Sequence, residues 1–265
     1  MTLPAALDPK AYLPNHVRTE LDFSGSVTTG GNKKQAKFVQ ERLCMAGFPV
    51  HTDGDFGPAT KQALQNFQKD NGIIQSGVYS MREHDLLTRP FVDAINPFPV
   101  GGKPLGDLIV RAGRQHVKQH PIEIGGENSG SWVRMYMDGN EGTEWKWCAG
   151  FSFFMIAEAC NFAGKPIPMA KSFTVDTIVD RAKTAGLFLS EAQAKTAAGK
   201  ARIVPGSLFV VRASSTHWSH VGIVSQADKD SFGTIEGNTN NDGSSNGFEA
   251  IEQVRGYKNK DFVVW

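Results

Sequence analysis

Three cysteines, seven histidines and a set of carboxylates hold most of the reactive chemistry open to this 265-residue chain. Cys148 is set apart by its surroundings. In Glu144-Trp145-Lys146-Trp147-Cys148-Ala149-Gly150-Phe151 it lies between a polar stretch and an apolar run that predicts a helix over 148–163. A thiol in the first turn of a helix is favoured as thiolate, because unpaired N–H groups and the helix dipole stabilise negative charge there. The same N–H groups can receive the oxyanion formed when a thiolate attacks an amide carbonyl. Cys160 falls mid-helix on the apolar stripe and reads as packing, and Cys44, on an earlier helix, reads as a small core hydrophobe. The twelve residues of helix from Cys148 to Cys160 span about 18 Å, beyond the about 7 Å that a disulfide allows. An odd, small number of cysteines also argues against a disulfide framework.

A thiol nucleophile needs a base and a group that orients the base. Trp218-Ser219-His220-Val221-Gly222-Ile223-Val224 puts His220 at the mouth of a strand, with another strand supplied by Pro205-Gly206-Ser207-Leu208-Phe209-Val210-Val211. In Thr234-Ile235-Glu236-Gly237-Asn238-Thr239-Asn240, Glu236 and Asn238 are two apart and share a strand face, so either can accept from the imidazole N–H. His217, in the loop just before, is the rival base and reads as a rim residue. A zinc pair of His217 and His220 lacks the helix and intervening glutamate that such a signature requires. Trp145, Trp147 and Trp218 flank these groups and suit either groove walls or core packing. The run Asp138-Gly139-Asn140-Glu141-Gly142-Thr143-Glu144 alternates oxygen-bearing side chains with glycine. Asp138, Asn140 and Glu144 can wrap a hard cation, although the run lacks the full EF-hand pattern and a plain acidic turn competes with that reading.

The elements that must position these residues fall into four stretches. Residues 1–32 read as an extension with Pro4, Pro9 and Pro14, closed by a Thr28-Thr29-Gly30-Gly31-Asn32 turn. Residues 33–89 predict a three-helix bundle: Ala36, Val39, Leu43 and Ala46 make one apolar stripe, Thr60, Leu64 and Phe67 a second, and Ser80-Met81-Arg82-Glu83 has the spacing of a capping box. Residues 90–104, with four prolines and paired Gly101-Gly102, read as a semi-extended linker. Residues 105–265 begin with helices at 106–119, 148–163 and 174–186, then turn to strands at 208–212, 220–224, 234–236 and 261–265. Helices first and strands afterwards predict an α+β domain whose helices pack on an antiparallel sheet. The helix over 148–163 has almost no polar face and is expected at the centre of that domain.

Two resemblances follow from these segments. Gln40-Glu41-Arg42-Leu43, Gly47-Phe48, Asp53-Gly54-Asp55-Phe56-Gly57, Thr60, Ala63-Leu64, Phe67-Gln68 and Gly77-Val78-Tyr79-Ser80 resemble, in order, the peptidoglycan-binding repeat of bacterial and phage cell-wall enzymes. Farther on, Trp147-Cys148-Ala149-Gly150-Phe151, Pro205-Gly206, Ser219-His220-Val221-Gly222 and Glu236-Gly237-Asn238 resemble the CHAP family of cysteine, histidine-dependent amidohydrolases and peptidases, relatives of the NlpC and papain-like enzymes. Ser207 stands where that family usually has an aspartate, which bears on a turn-stabilising role. This second resemblance implies a papain-like domain with Cys148 as nucleophile, His220 as base and then acid, Glu236 orienting His220, and Asn238 as a second polar support, the last two roles being exchangeable. It implies no required cofactor, with calcium in the loop before the cysteine as an option. Together the two resemblances imply an endolysin-like peptidoglycan hydrolase that cuts either the stem peptide or cross-bridge, or the muramoyl-L-alanine amide. A secreted antibacterial effector with the same chemistry and a catalytically inactive wall-binding protein are the alternatives.

Composition sets the remaining expectations. A formal charge of +1 gives no polybasic signature, so nucleic acid is not expected as partner, and the resemblances imply peptidoglycan instead. No apolar run approaches the roughly 18 residues needed to cross a bilayer, so membrane insertion is not expected. Met1-Thr2-Leu3-Pro4-Ala5-Ala6-Leu7-Asp8-Pro9-Lys10 lacks the basic and apolar regions of a Sec signal. The expectation is a monomer made in the cytoplasm that acts at the bacterial cell wall.

Overall fold

The computed structural model describes residues 13–240 and 246–265. The opening ten residues, read above as lacking a Sec signal, lie outside the described residues, together with Ala11 and Tyr12 of the extension. The fold is α+β, with ten helices and one antiparallel six-stranded sheet among the described residues. The described residues divide into two compact units: one comprises those up to Asp93 together with Ile122–Thr143, the other those of Ala94–Pro121 and Glu144–Trp265. The chain therefore passes between units three times, at 93/94, 121/122 and 143/144.

The N-terminal unit holds α1 (Asn15–Leu21), α2 (Lys33–Met45), α3 (Pro58–Asp70), α4 (Met81–Ala94, whose last residue opens the other unit) and α6 (Ser131–Tyr136). Asn32 caps α2 by accepting from the Lys34 and Gln35 N–H groups, and Pro58 occupies the first turn of α3, where its missing N–H costs nothing. Val39, Leu43, Phe56, Leu64, Phe67 and Tyr79 close the core. Two buried glutamines explain why the turns keep their shape. Gln40 donates to Asp53 Oδ1, the Asp55 carbonyl and Thr60 Oγ1 and accepts from the Gly54 N–H. Gln68 repeats the device one helix later, donating to Ser76 Oγ, the Val78 carbonyl and Glu83 and accepting from Gly77. Buried amides satisfied on both ends stabilise a loop as backbone pairing would.

Three expectations about domain limits are corrected here. Residues 15–21, read as extension, form α1 and bury Val17, Glu20 and Leu21. Pro90, read as the start of a linker, lies inside α4, which continues to Ala94 because Phe91, fully buried against Trp132 at 3.9 Å between ring centres, anchors the turn beyond it. Residues 122–143, assigned above to the second domain, pack with the first. Arg134 of α6 is the reason: its guanidinium holds Glu20 of α1 at 2.7 Å, Glu41 of α2 at 2.7 Å and Glu141 at 2.7 Å.

The second unit holds α5 (Leu105–Val117), α7 (Cys148–Ala163), α8 (Val175–Thr184), α9 (Glu191–Ala194) and α10 (Ala197–Ala201). Its sheet runs β1 (Phe188–Leu189), β6 (Lys260–Val263), β2 (Leu208–Arg212), β3 (Trp218–Ala227), β4 (Ser231–Thr239), β5 (Glu249–Gly256). Helix α7 spans the predicted residues, is buried nearly all round, and lies against α5 and the neighbouring strands β3 and β4. Gly237 permits this approach: a Cβ there would stand 2.7 Å from Phe151 and from the Trp147 ring. Phe209, Phe232 and Phe262 fill a further cluster against Leu189, Ile203 and Val264. Ser207, in place of the usual aspartate, accepts from the Val204 N–H through its hydroxyl and so keeps the turn into β2.

Candidate catalytic site

Cys148 is the first residue of α7. Trp147 precedes it as N-cap without any side-chain cap, so the N–H groups of the first turn are left facing the thiol end of the helix. The thiol is buried, 3% exposed. Burial works to push its pKa up, but the hydrogen bond and charge of His220, joined by the backbone N–H groups of Val221 and Ala149, outweigh it and lower the pKa below that of an ordinary cysteine. Cys160 goes the other way: burial raises its pKa and its sulfur lies 3.5 Å from the Pro166 carbonyl. Cys44 is half-buried, with its sulfur 3.1 Å from the Val50 carbonyl, and all three cysteines are free. The environment thus separates one reactive thiol from two that pack.

His220 enters from β3, fully buried, and uses its two ring nitrogens differently. Nε2 meets Glu236 Oε2 at 2.8 Å, while Nδ1 makes no hydrogen bond, and Cys148 is a neighbour that acts on the ring. Burial works to lower the His220 pKa, yet hydrogen bonding to Cys148 and Glu236 and then their charges raise it to about 9.

Glu236 on β4 is the group that meets the imidazole. Its second oxygen accepts from Thr234 Oγ1 at 2.5 Å and from Arg255 Nε at 2.6 Å, and Arg255 Nη2 reaches Oε2 at 2.6 Å. Burial would push this carboxyl up, but the hydrogen bonds from His220 and Arg255, and then their charges, hold it down at about 2. Asn238 is placed otherwise. It sits at a register break in β4 with φ of +54°, and its Nδ2 donates to the Gly247 carbonyl at 3.0 Å, so it shapes the strand end while Glu236 faces His220.

The other sequence candidates are distributed as follows. His217 is exposed and pairs with Asp176 at 2.8 Å, a rim position. Trp218 is buried with its Nε1 donating to Asp261 Oδ2 at 2.8 Å, and Trp147 is buried, so both pack. Trp145 is half-buried and edge-on to Phe173, the one of the three tryptophans open to a groove role. Asp138 lies 3.6 Å from His16, and Asn140 turns its amide onto the Met137 carbonyl at 2.8 Å. Glu144 belongs to the other unit. Among the described residues no three His, Cys, Asp or Glu side chains are placed to hold a metal ion. Thr234 and Arg255 were missed from sequence. The Thr234-x-Glu236 alternation signals the first; nothing signals the second, because β5 was not recognised as a strand.

With the two units described, the N-terminal one can be compared with known families. Residues 32–85 match the family model of a peptidoglycan binding domain. The match starts at the α2 cap and ends in the first turns of α4, so it takes in both buried glutamines and the turns they hold, and none of the residues around Cys148. No curated protein and no solved structure matches the chain. The chain thus carries a peptidoglycan-binding domain, which associates it with the cell wall. No helix among the described residues is long and apolar enough to cross a membrane.

Proposed function

We propose that this chain is a peptidoglycan hydrolase in which the C-terminal unit is a papain-like CHAP domain and Cys148 is the nucleophile. The observation that carries the reading is a buried thiol at the start of α7 coupled to a histidine whose other nitrogen rests on a buried carboxylate. That is the nucleophile–base–orienter arrangement of acyl transfer. The wall-binding domain supplies the substrate class.

In the proposed cycle the Cys148 thiolate adds to an amide carbonyl, and the first-turn N–H groups of α7 receive the oxyanion. Protonated His220 gives its proton to the leaving nitrogen as the C–N bond breaks, which leaves a thioester on Cys148. Neutral His220 then takes a proton from water, the hydroxide displaces the thiolate, and the imidazolium–thiolate pair returns. Glu236 keeps the imidazole in the orientation that serves both steps. The scissile bond is an amide of the stem peptide or cross-bridge, or the muramoyl-L-alanine amide.

Digestion of purified peptidoglycan followed by mass spectrometry of the released fragments tests this reading. A new amine and carboxyl pair at one amide position is expected, and its place separates endopeptidase from amidase. Intact peptidoglycan after prolonged digestion at substrate excess removes the proposal.

Gly222 provides a second check. A Cβ at this position would lie 2.6 Å from the buried Phe209 ring and 2.9 Å from Glu236 Cγ. Gly222→Ala therefore displaces the orienting carboxylate, and a misplacement of about 1 Å costs catalysis about 100-fold. Cleavage rate should fall by that order while sedimentation with insoluble wall is unchanged; a variant that cleaves at the wild-type rate contradicts the assigned role of Glu236.

A further inference from the structure

We propose that Arg255 is the fourth member of this site, a positioning residue that fixes the Glu236 carboxylate for His220 and supplies the cation that makes the charged resting state neutral. The inference rests on the thiol–imidazole reading above. Arg255 comes from β5, a strand distant in sequence from every motif around Cys148, and its fork meets both carboxylate oxygens at 2.6 Å. Bidentate guanidinium–carboxylate pairing fixes orientation as well as charge. Thr234 holds the Oε1 side of the same carboxylate, so the Oε2 atom that meets His220 has little freedom.

Charge balance gives the second argument. With the thiolate and imidazolium formed, Cys148 and Glu236 carry one negative charge each, and His220 and Arg255 one positive charge each. A buried site with that sum is tolerated far better than one left with an uncompensated charge. The charged or titratable groups acting on Glu236 are His220 from β3 and Arg255 from β5, with Lys260 of β6 acting more weakly, while Cys148 of α7 acts on His220. Burial and then the charge of Arg255 lower the Lys260 pKa, with Glu236 and Glu191 opposing.

The sign is fixed by electrostatics: removal of a nearby cation makes every neighbouring group hold its proton more tightly. Both the thiol and the imidazolium of the Arg255→Met variant should titrate at higher pH, and by about one unit, which is tenfold less thiolate at any pH below both midpoints. A purely structural role would lower rates without moving midpoints. Alkylation of Cys148 by iodoacetamide as a function of pH, followed by peptide mass mapping to exclude Cys44 and Cys160, reads the thiolate directly and needs no peptidoglycan.

In this measurement Arg255→Met and Arg255→Gln should shift the Cys148 midpoint upward alike. Arg255→Lys, which keeps the charge and loses the fork, should leave the midpoint in place and slow peptidoglycan cleavage. Midpoints of both neutral variants overlying the wild type, or a Lys variant shifted as far as Met, would overturn the proposal. Should the Met variant fail to fold, the Gln and Lys pair decides it alone. A wild-type protein that cleaves no peptidoglycan, while the neutral variants still shift, removes the hydrolase reading and leaves the role of Arg255 standing. A cleaving wild type with unshifted variants does the reverse.

Discussion

Cys148→Ala is expected to abolish peptidoglycan cleavage, with a fall on the order of 10⁴- to 10⁶-fold, while the protein still sediments with insoluble wall. The size follows from the chemistry, since without sulfur there is no thioester route and His220 has no nucleophile to serve. Wall binding should survive because the peptidoglycan-binding match at 32–85 contains no residue of this site. The fold should survive as well: Ala fits the first turn of α7, and the loss is a single buried sulfur atom. Cys44→Ala and Cys160→Ala serve as controls and should cleave within a few-fold of wild type, since the Cys44 sulfur meets only the Val50 backbone and the Cys160 sulfur the Pro166 carbonyl, away from His220. Turbidity clearance, binding and melting temperature, measured on the four proteins together, decide the matter. Clearing by the Cys148 variant at the wild-type rate would sink the mechanism.

The second large effect concerns stability. Arg134→Met removes the cation around which Glu20, Glu41 and Glu141 converge, and the first two carboxylates are 5% and 0% exposed. Arg42 at 3.4 Å from Glu20 and Lys37 at 3.0 Å from Glu141 compensate part of the loss. A buried ion pair broken from one side typically costs about 3–5 kcal/mol. At a urea dependence of about 1.5 kcal/mol per molar, the unfolding midpoint of the N-terminal unit falls by about 2–3 M. The pH dependence has a definite direction. Burial opposes ionisation of Glu141, but the Gly130 N–H, Arg134 and Lys37 hold its pKa at about 2. Its folded-state pKa is thus depressed, so its contribution is full above the ordinary carboxylate range and disappears as pH falls toward about 2. The gap between wild type and variant should be widest at neutral pH and narrow on acidification. Urea titrations at pH 7 and pH 4 check both points, and equal midpoints at pH 7 would contradict the assigned role of Arg134.

The sequence carried the core of the candidate site for a physical reason: local pattern is enough when a residue's position depends on its own element. Cys148 at a helix start, His220 at a strand start, and Glu236 in alternation with Thr234 are all such cases. The choice between Glu236 and Asn238 was beyond reach, because a left-handed residue and a register break in β4 turn Asn238 to the Gly247 carbonyl. Arg255 was beyond reach for a related reason. On a strand with alternating exposure an arginine reads as solvated, and only the pairing of β5 with β4 carries its fork to a carboxylate nineteen residues earlier. The unit boundary failed differently. Proline and glycine enrichment marks irregular chain, but it does not say which core a nearby segment joins, and the allegiance of 122–143 was set by Arg134 meeting carboxylates from α1 and α2.

That allegiance changes what a protease can do to the molecule. Because the chain passes between the units at 93/94, 121/122 and 143/144, a nick at any one of these places leaves two fragments that still share at least one folded unit. After a cut at 93/94, for example, the shorter fragment remains clasped through Arg134 on the longer one. After a single nick, shedding the wall-binding unit from the thiol-bearing unit therefore requires unfolding as well as scission. In a proteolytic environment, only cuts at all three crossings would part the two folded units.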